Sequence, residues 1–283
     1  MPQNAGYLTG PLKLFYLDDD QGVTCPYHYH EFGKIMLFLQ GQVTYDIEGK
    51  SYHLQPYDIV IIPAGILHRP HAEAGVTYER IIAYISPAYV KEYQQRHCDL
   101  SVIFRQAGAA VLRQPQEADN LYSASCRLRQ LCCHETDDMY SSALKDTVFL
   151  EFLLHLARSV SQRRLASVKT GREHPKIQQI LAYIHAHLTD DLSIETLAHH
   201  TYLSPDYLMH IFKAETGYSP GAYITAKRLA LARSLMSKKL PLTTVCYDSG
   251  FKQYSTFYRA WKKRYGTSPK SGIHPALDRY WEE

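Results

Sequence analysis

The sequence predicts an α+β protein of two domains, a β-rich domain over residues 1–160 and an all-helical domain over 175–283, joined by a linker at 161–174. Three observations carry this prediction. Short apolar and alternating runs punctuated by Gly and Pro fill the first hundred residues, apolar positions take up helical spacing from about Glu117 onward, and one stretch near the C-terminus occurs twice. A chain of 283 residues is long enough for each domain to bury its own core.

The β signals come first. Ile35 to Leu39 is an apolar run, Val43 to Ile47 alternates, Glu48-Gly49-Lys50 reads as a turn, Tyr52-His53-Leu54 resumes, and Asp58 to Ile62 is apolar up to Pro63. Short strands so spaced predict a small β-barrel or sandwich. Leu121, Leu128 and Leu131, then Leu144, Val148, Phe149, Phe152, Leu153 and Leu156, predict two helices ending near Val160. The second is apolar on a wide face, part of it suited to the β domain and the remainder to a second protomer. Residues 161–174 are polar and without apolar periodicity, hence a flexible linker. Beyond Pro175, Ile177, Ile180, Leu181, Ile184 and Leu188 form the first stripe of a helical domain.

Composition bounds the function classes. No apolar run approaches the ~20 residues needed to span a bilayer, and Met1-Pro2-Gln3-Asn4 lacks the basic and apolar regions of a signal peptide, so a cytoplasmic protein is expected. Six cysteines without a CxxC pair predict reduced, structural thiols. Net charge is only +3, but residues 1–160 hold 13 Lys and Arg against 18 Asp and Glu, whereas 174–283 hold 14 against 9. A basic second half suggests phosphate as its partner. No Ser/His/Asp, Walker or dinucleotide signature occurs, so neither catalysis nor a cofactor is expected.

The duplication is the most informative feature. Tyr202 to Lys213, followed by Thr216-Gly217-Tyr218-Ser219-Pro220, recurs as Gly250 to Lys262, followed by Tyr265-Gly266-Thr267-Ser268-Pro269. Leu197 and Val245, Ala198 and Cys246, and Leu203 and Phe251 stand 48 apart, whereas Leu208 and Phe257, Phe212 and Trp261, and Gly217 and Gly266 stand 49 apart. The second copy therefore has one extra residue in its turn. Each unit has the pattern of a helix-turn-helix, which makes DNA the expected partner.

In the first copy Ser204 is the predicted N-cap and Pro205 the first helical residue, and Leu208, Ile211 and Phe212 face the core. Asp206, Met209 and His210 are left outward. In the second, Phe257 and Trp261 are anchors, while Tyr254, Ser255, Tyr258 and Arg259 face out. These seven are the expected base contacts. Arg259 is the strongest, since a guanidinium bonds a guanine edge in bidentate fashion for roughly 1 to 3 kcal/mol of discrimination. Lys213, Lys252, Lys262, Lys263 and Arg264 are expected to bind phosphates, which sets affinity and salt dependence without reading sequence.

Ile194 to Ala198, Leu203 to Leu208, Phe212-Lys213, Thr216 to Pro220, Tyr223-Ile224, Gly250-Phe251, Phe257, Arg259, Trp261-Lys262-Lys263 and Gly266 to Pro269 together resemble the DNA-binding domain of the AraC/XylS family of bacterial transcription regulators, over roughly residues 174–275. The resemblance implies two helix-turn-helix motifs joined by a long helix, about Pro220 to Ser237, entering successive major grooves. It also implies double-stranded operator DNA, RNA polymerase and a second copy of the chain as partners, in a regulator that includes activators among its kind. Tyr202 departs from the pattern, standing where the second copy has Gly250.

Gly22, His28-Tyr29-His30, Gly41 and Pro63 to His68 resemble the two cupin motifs, the usual sensor domain of that family. The resemblance makes the N-terminal domain a cupin-like β-barrel and His28, His30 and His68 its candidate metal ligands, but Lys34 occupies the expected Glu position. A protonated ammonium cannot ligate a dication, so no metal is expected. Nine tyrosines from Tyr7 to Tyr84 suit a polar ligand, and His28, His30, Lys34, Tyr45, His68 and Arg69 are the candidate effector contacts, a sugar being the expected class. The readings to be separated are an effector-controlled regulator, a metal-dependent cupin enzyme fused to a DNA-binding domain, and a regulator whose barrel serves only for dimerisation.

Overall fold

The computed structural model describes residues 8, 10–114, 120–134, 138–236, 238 and 240–271. The N-terminal domain contains β1 (Leu12–Asp19), β2 (Val23–Thr24), β3 (Gly33–Gln40), β4 (Val43–Ile47), β5 (Lys50–His53), β6 (Ile59–Ile62), β7 (His68–Ala72) and β8 (Tyr78–Ile85). Then come α1 (Pro87–Gln95), α2 (Ser101–Ala107), β9 (Ala110–Arg113), α3 (Asn120–Cys133) and α4 (Ser141–Ser161). Glu117, where helical spacing begins in the sequence, lies outside the described residues.

The strand pairs are antiparallel throughout. They form one sheet of order β1-β8-β3-β6-β9 and a second of order β5-β4-β7-β2, each extended at one edge by a short strand from the segment 161–174. The sheets face one another without closing into a single barrel, which corrects the barrel expectation to a cupin-like jelly roll.

Residues 35–39 of β3, 59–62 of β6 and 81–85 of β8 read as unbroken apolar runs because both faces of these strands are covered. Ile35, Leu37, Ile59, Ile61, Ile81 and Ala83 point to a core shared with α3 and α4, through Leu121, Leu128, Phe149, Phe152, Leu153 and Leu156. Their alternates Met36, Phe38, Val60, Ile62, Ile82 and Tyr84 meet Val43, Tyr45, Ile47 and Tyr52 of the other sheet. Helices, sheet and sheet thus make three layers. Truncating a side chain such as Phe38 in this interior costs about 3–5 kcal/mol.

The polar segment 161–174 is more ordered than its composition suggests. Ala166–Ser167 form β10 against β9, and Arg172–Glu173 form β11 against β5, so each sheet gains an edge strand from it. Backbone pairing needs no apolar side chain, so periodicity does not reveal these strands.

The C-terminal domain is α5 (Pro175–Ala186), α6 (Ile194–Thr201), α7 (Pro205–Thr216), α8 (Pro220–Met236), α9 (Leu242–Asp248) and α10 (Tyr254–Tyr265), closed by a 3-10 turn at Pro269–Ser271. Ser237 at the end of the expected long helix, and residues 272–283, lie outside the described residues. No helix among the described residues is long and apolar enough to cross a membrane.

Candidate nucleic-acid interface and effector pocket

The two helix-turn-helix motifs are α6–α7 and α9–α10, joined by α8. Their turns are built by the same hydrogen bonds: Leu203 N–H donates to the Ala198 carbonyl at 3.0 Å, and Phe251 N–H to the Cys246 carbonyl at 3.1 Å. Tyr202 N–H and Gly250 N–H donate to His199 and Tyr247 in the same way. The extra residue of the second copy falls between Phe251 and the N-cap Gln253. Both recognition helices stop at a left-handed glycine, Gly217 at φ 76° and Gly266 at φ 70°.

The N-caps differ. Ser204 Oγ accepts from Tyr207 N–H, whereas Gln253 makes no side-chain cap bond. Anchoring follows the sequence pattern, with Leu208, Ile211 and Phe212 buried in α7 and Phe257, Trp261 and Tyr265 buried in α10.

Asp206, Met209 and His210 are exposed on α7; Ser255 and Arg259 are exposed on α10, with Tyr254 and Tyr258 half-buried beside them. Lys213, Lys252, Lys262 and Lys263 are exposed. Lys252 pairs at 2.5 Å with Asp191 in a solvent-exposed contact. Arg264 is placed differently: its side chain is only 6% exposed and lies against the N-terminal domain, 5.1 Å over the Tyr29 ring.

In the jelly roll, His28, His30 and His68 offer ligand atoms all within 4.8 Å of one another. His28 and His68 sit on facing backbone segments that exchange two hydrogen bonds. Their Nδ1 atoms lie 3.0 and 2.9 Å from the carbonyls of Pro26 and Ile66, which fixes Nδ1 as the protonated nitrogen and leaves Nε2 as acceptor. Lys34, on the inward face of β3, donates to His68 Nε2 at 3.5 Å and lies 5.7 Å from the Tyr45 ring centre. Tyr45 in turn stacks on His68, and His30 stacks on Phe32.

Burial, reinforced by Lys34, pushes His28 down to about 4, and burial together with the neighbouring His28 and Lys34 holds His30 and His68 well below the ordinary histidine range. Burial pushes Lys34 down to about 8. At neutral pH the cluster is three neutral imidazoles around one ammonium, a set of donors and acceptors for a polar ligand. The imidazoles suit a divalent cation, and the ammonium opposes one.

Arg69 does not join this cluster. It neighbours His68 on β7 and so faces the other way, bonding Asp46 at 2.8 Å and lying 4.2 Å over the Tyr27 ring. Glu31 likewise turns away from His30, toward the helical domain.

Residues that sequence reasoning missed join the two domains. Tyr27, Tyr29 and Leu67 belong to the same apolar core as Ile177, Leu197, Leu208 and Phe212. The Glu48-Gly49 hairpin tip, with φ of 44° and 77°, sits on α5. There the Glu48 carboxylate accepts from Tyr223 Oη at 2.8 Å and Lys227 Nζ at 3.2 Å, with His185 at 3.6 Å. Glu48 reads as an ordinary turn residue, and no local pattern names partners 175 residues away.

Two known families match this chain: residues 13–153 match the AraC-like ligand binding domain, and residues 197–271 a helix-turn-helix domain. The arabinose operon regulatory protein of Salmonella typhimurium is 26% identical over 240 residues, covering 82% of this chain and 80% of that protein. The transcriptional activator RhaS of Escherichia coli is 23% identical over 265 residues, covering 87% and 86%. Among solved structures, unsaturated fatty acid-bound ToxT of Vibrio cholerae aligns over 96% of this chain and 98% of its own, with 13% identity and a TM-score of 0.40. With its ligand-binding domain and its helix-turn-helix domain in the expected order, the chain belongs to the AraC family of transcription regulators.

Proposed function

We propose that this regulator binds a double-stranded operator through α7 and α10, with most base readout on α10, and that a small polar effector, a sugar in the first instance, engages His28, His30, Lys34, Tyr45 and His68. The observation that carries the DNA reading is the exposure of Arg259 beside Tyr254, Ser255 and Tyr258 near the start of α10, opposite the buried Phe257 and Trp261. Side chains so placed reach base edges when a helix enters the major groove. The α7 face carries Asp206, which repels phosphate, so its readout is weaker. Selection of binding sites from a random duplex library, repeated with Arg259→Ala, tests this. Loss of preference at one base pair is expected, and an unchanged site preference rejects the assignment.

The sugar reading rests on neutral imidazoles, one ammonium and an aromatic face within one cluster, and on the similarity to a protein named for an arabinose operon. Titration calorimetry with carbohydrates and sugar acids tests it, and absence of heat from both classes sinks it.

A homodimer is supported by α4, where Leu144 and Leu154 are 51% and 43% exposed on the face that continues from Tyr140. Sedimentation of Leu144→Lys/Leu154→Lys as a monomer, against a dimeric parent, is the expected result. RNA polymerase contact and a cytoplasmic location follow from the family reading.

A further inference from the structure

The two helix-turn-helix motifs are attached to the jelly roll in different ways. The first shares an apolar core with it, through Tyr27, Tyr29 and Leu67. The second has a core of its own, built on Leu229, Val245, Phe251, Phe257, Trp261 and Tyr265, to which no jelly-roll residue belongs among the described residues. Between Pro26-Tyr27 and the second motif's Ala260 and Lys263 lies a cavity of about 480 Å³ instead of packed side chains.

Among the described residues, the second motif meets the jelly roll through Glu31, with the Arg264 guanidinium also lying over the Tyr29 ring. The Glu31 side chain is 4% exposed. One oxygen accepts from Tyr265 Oη at 2.5 Å and lies 3.9 Å from Arg264 Nε, and the other pairs with Arg233 at the end of α8. A carboxylate withdrawn from water is tolerable only while such partners surround it, so this contact is either made or fully opened to solvent.

We propose that Glu31 is a latch on the second motif: closed, it withholds Arg233 and Arg264 from DNA, and opened, it frees both guanidiniums and the placement of α10. The inference rests on the DNA-binding reading. Its cause is electrostatic, since a guanidinium paired with a buried carboxylate does not displace counterions from a phosphate. The latch is wired to the histidine cluster by one peptide unit. His30 enters the histidine cluster and Glu31, the next residue, points the other way, so a ligand that shifts His30 shifts the latch. A ligand fitting the open arrangement better raises the population in which α10 is free.

The test uses the full chain, a fluorescently labelled random-sequence duplex and a salt series. Glu31→Gln removes the charge, and Tyr265→Phe removes one hydrogen bond while keeping the ring in its core. Both should bind several-fold tighter than the parent, with a salt slope steeper by roughly one to two units for one or two added phosphate contacts. Without DNA, both should increase the radius of gyration in small-angle scattering. Glu48→Gln should not, because the first motif keeps its shared core. Unchanged scattering in both latch variants overturns the latch whatever DNA does. Scattering that expands while neither the parent nor either latch variant binds the duplex instead overturns the DNA reading on which the inference stands.

Discussion

Tyr202 holds the left-handed backbone conformation, φ 55° and ψ 44°, at the position where Gly250 holds φ 88° in the second motif. The first turn therefore keeps its shape without the glycine. This conformation costs a residue with a Cβ roughly 1–2 kcal/mol, and the Tyr202 ring, 87% exposed, recovers little of it by packing. Tyr202→Gly should stabilise the helical domain by about 0.5–1 kcal/mol after the added unfolded-state entropy of glycine. Gly250→Ala should destabilise it by about 1–3 kcal/mol, because strain is added and the new Cβ would stand 2.8 Å from the Leu188 carbonyl oxygen. Urea midpoints followed by helical circular dichroism check both signs, and equal effects would refute the equivalence of the two turns.

Arg259 and Lys262 are one helical turn apart on α10, yet they should behave differently. Arg259→Ala should remove roughly 1 to 3 kcal/mol of preference at one base pair while leaving random-sequence binding little changed. Lys262→Ala should weaken all duplexes alike and flatten the salt slope by about one unit. Fluorescence anisotropy on a selected and a scrambled duplex separates the two, and matching profiles for both variants would count against the docking of α10.

The sequence made the helical domain legible nearly in full. Its signals are local: Ser204 caps α7, Gly217 and Gly266 stop the recognition helices, and the change of offset from 48 to 49 locates the extra turn residue. In the N-terminal domain, β3, β4 and β6 were legible because apolar runs and alternation mark them. Helices α1 and α2 were not read, nor were the short pairings of 166–167 and 172–173. The site divided the same way. His28, His30, Lys34 and His68 came together, as the two motifs implied, whereas Arg69 lies on the opposite face of β7. The inter-domain roles of Glu31 and Glu48 were not legible, because a carboxylate's meaning lies in partners brought by the tertiary fold, 234 residues away for Glu31 and Tyr265.

The buried cluster should make stability depend on pH in two windows. His28 titrates at about 4 when folded against 6.5 in its ordinary state, so the unfolded chain binds the extra proton between these values. Stability is therefore present above pH 6.5 and lost as pH falls toward 4, by about 3 kcal/mol for His28 alone, with His30 and His68 adding in the same direction. Lys34 titrates at about 8 when folded against 10.5, so stability should rise from pH 8 to 10.5 as the unfolded chain alone remains charged. Urea unfolding across this range checks both arms. Lys34→Met should abolish the alkaline arm, and its persistence would mean that another group is responsible.

Lys34 also determines whether the three imidazoles bind metal. Its ammonium reaches His68 Nε2 at 3.5 Å, the nitrogen left as acceptor by the Nδ1 contact to Ile66. A dication at the cluster would have to displace that hydrogen bond and sit beside a positive charge, so the parent chain should give no zinc binding at pH 7. Replacing the ammonium by a carboxylate, as in Lys34→Glu, reverses both effects, since the new side chain supplies a fourth ligand and cancels charge instead of adding it. Lys34→Glu should therefore bind one zinc ion and gain thermal stability when it does, by about 2.7 kcal/mol at a hundredfold excess over the dissociation constant. Calorimetric titration and thermal melts with and without zinc measure this. Tight zinc binding by the parent would show that Lys34 moves aside and would return the metal reading to consideration, whereas no binding by either chain would mean that the imidazoles cannot converge on an ion.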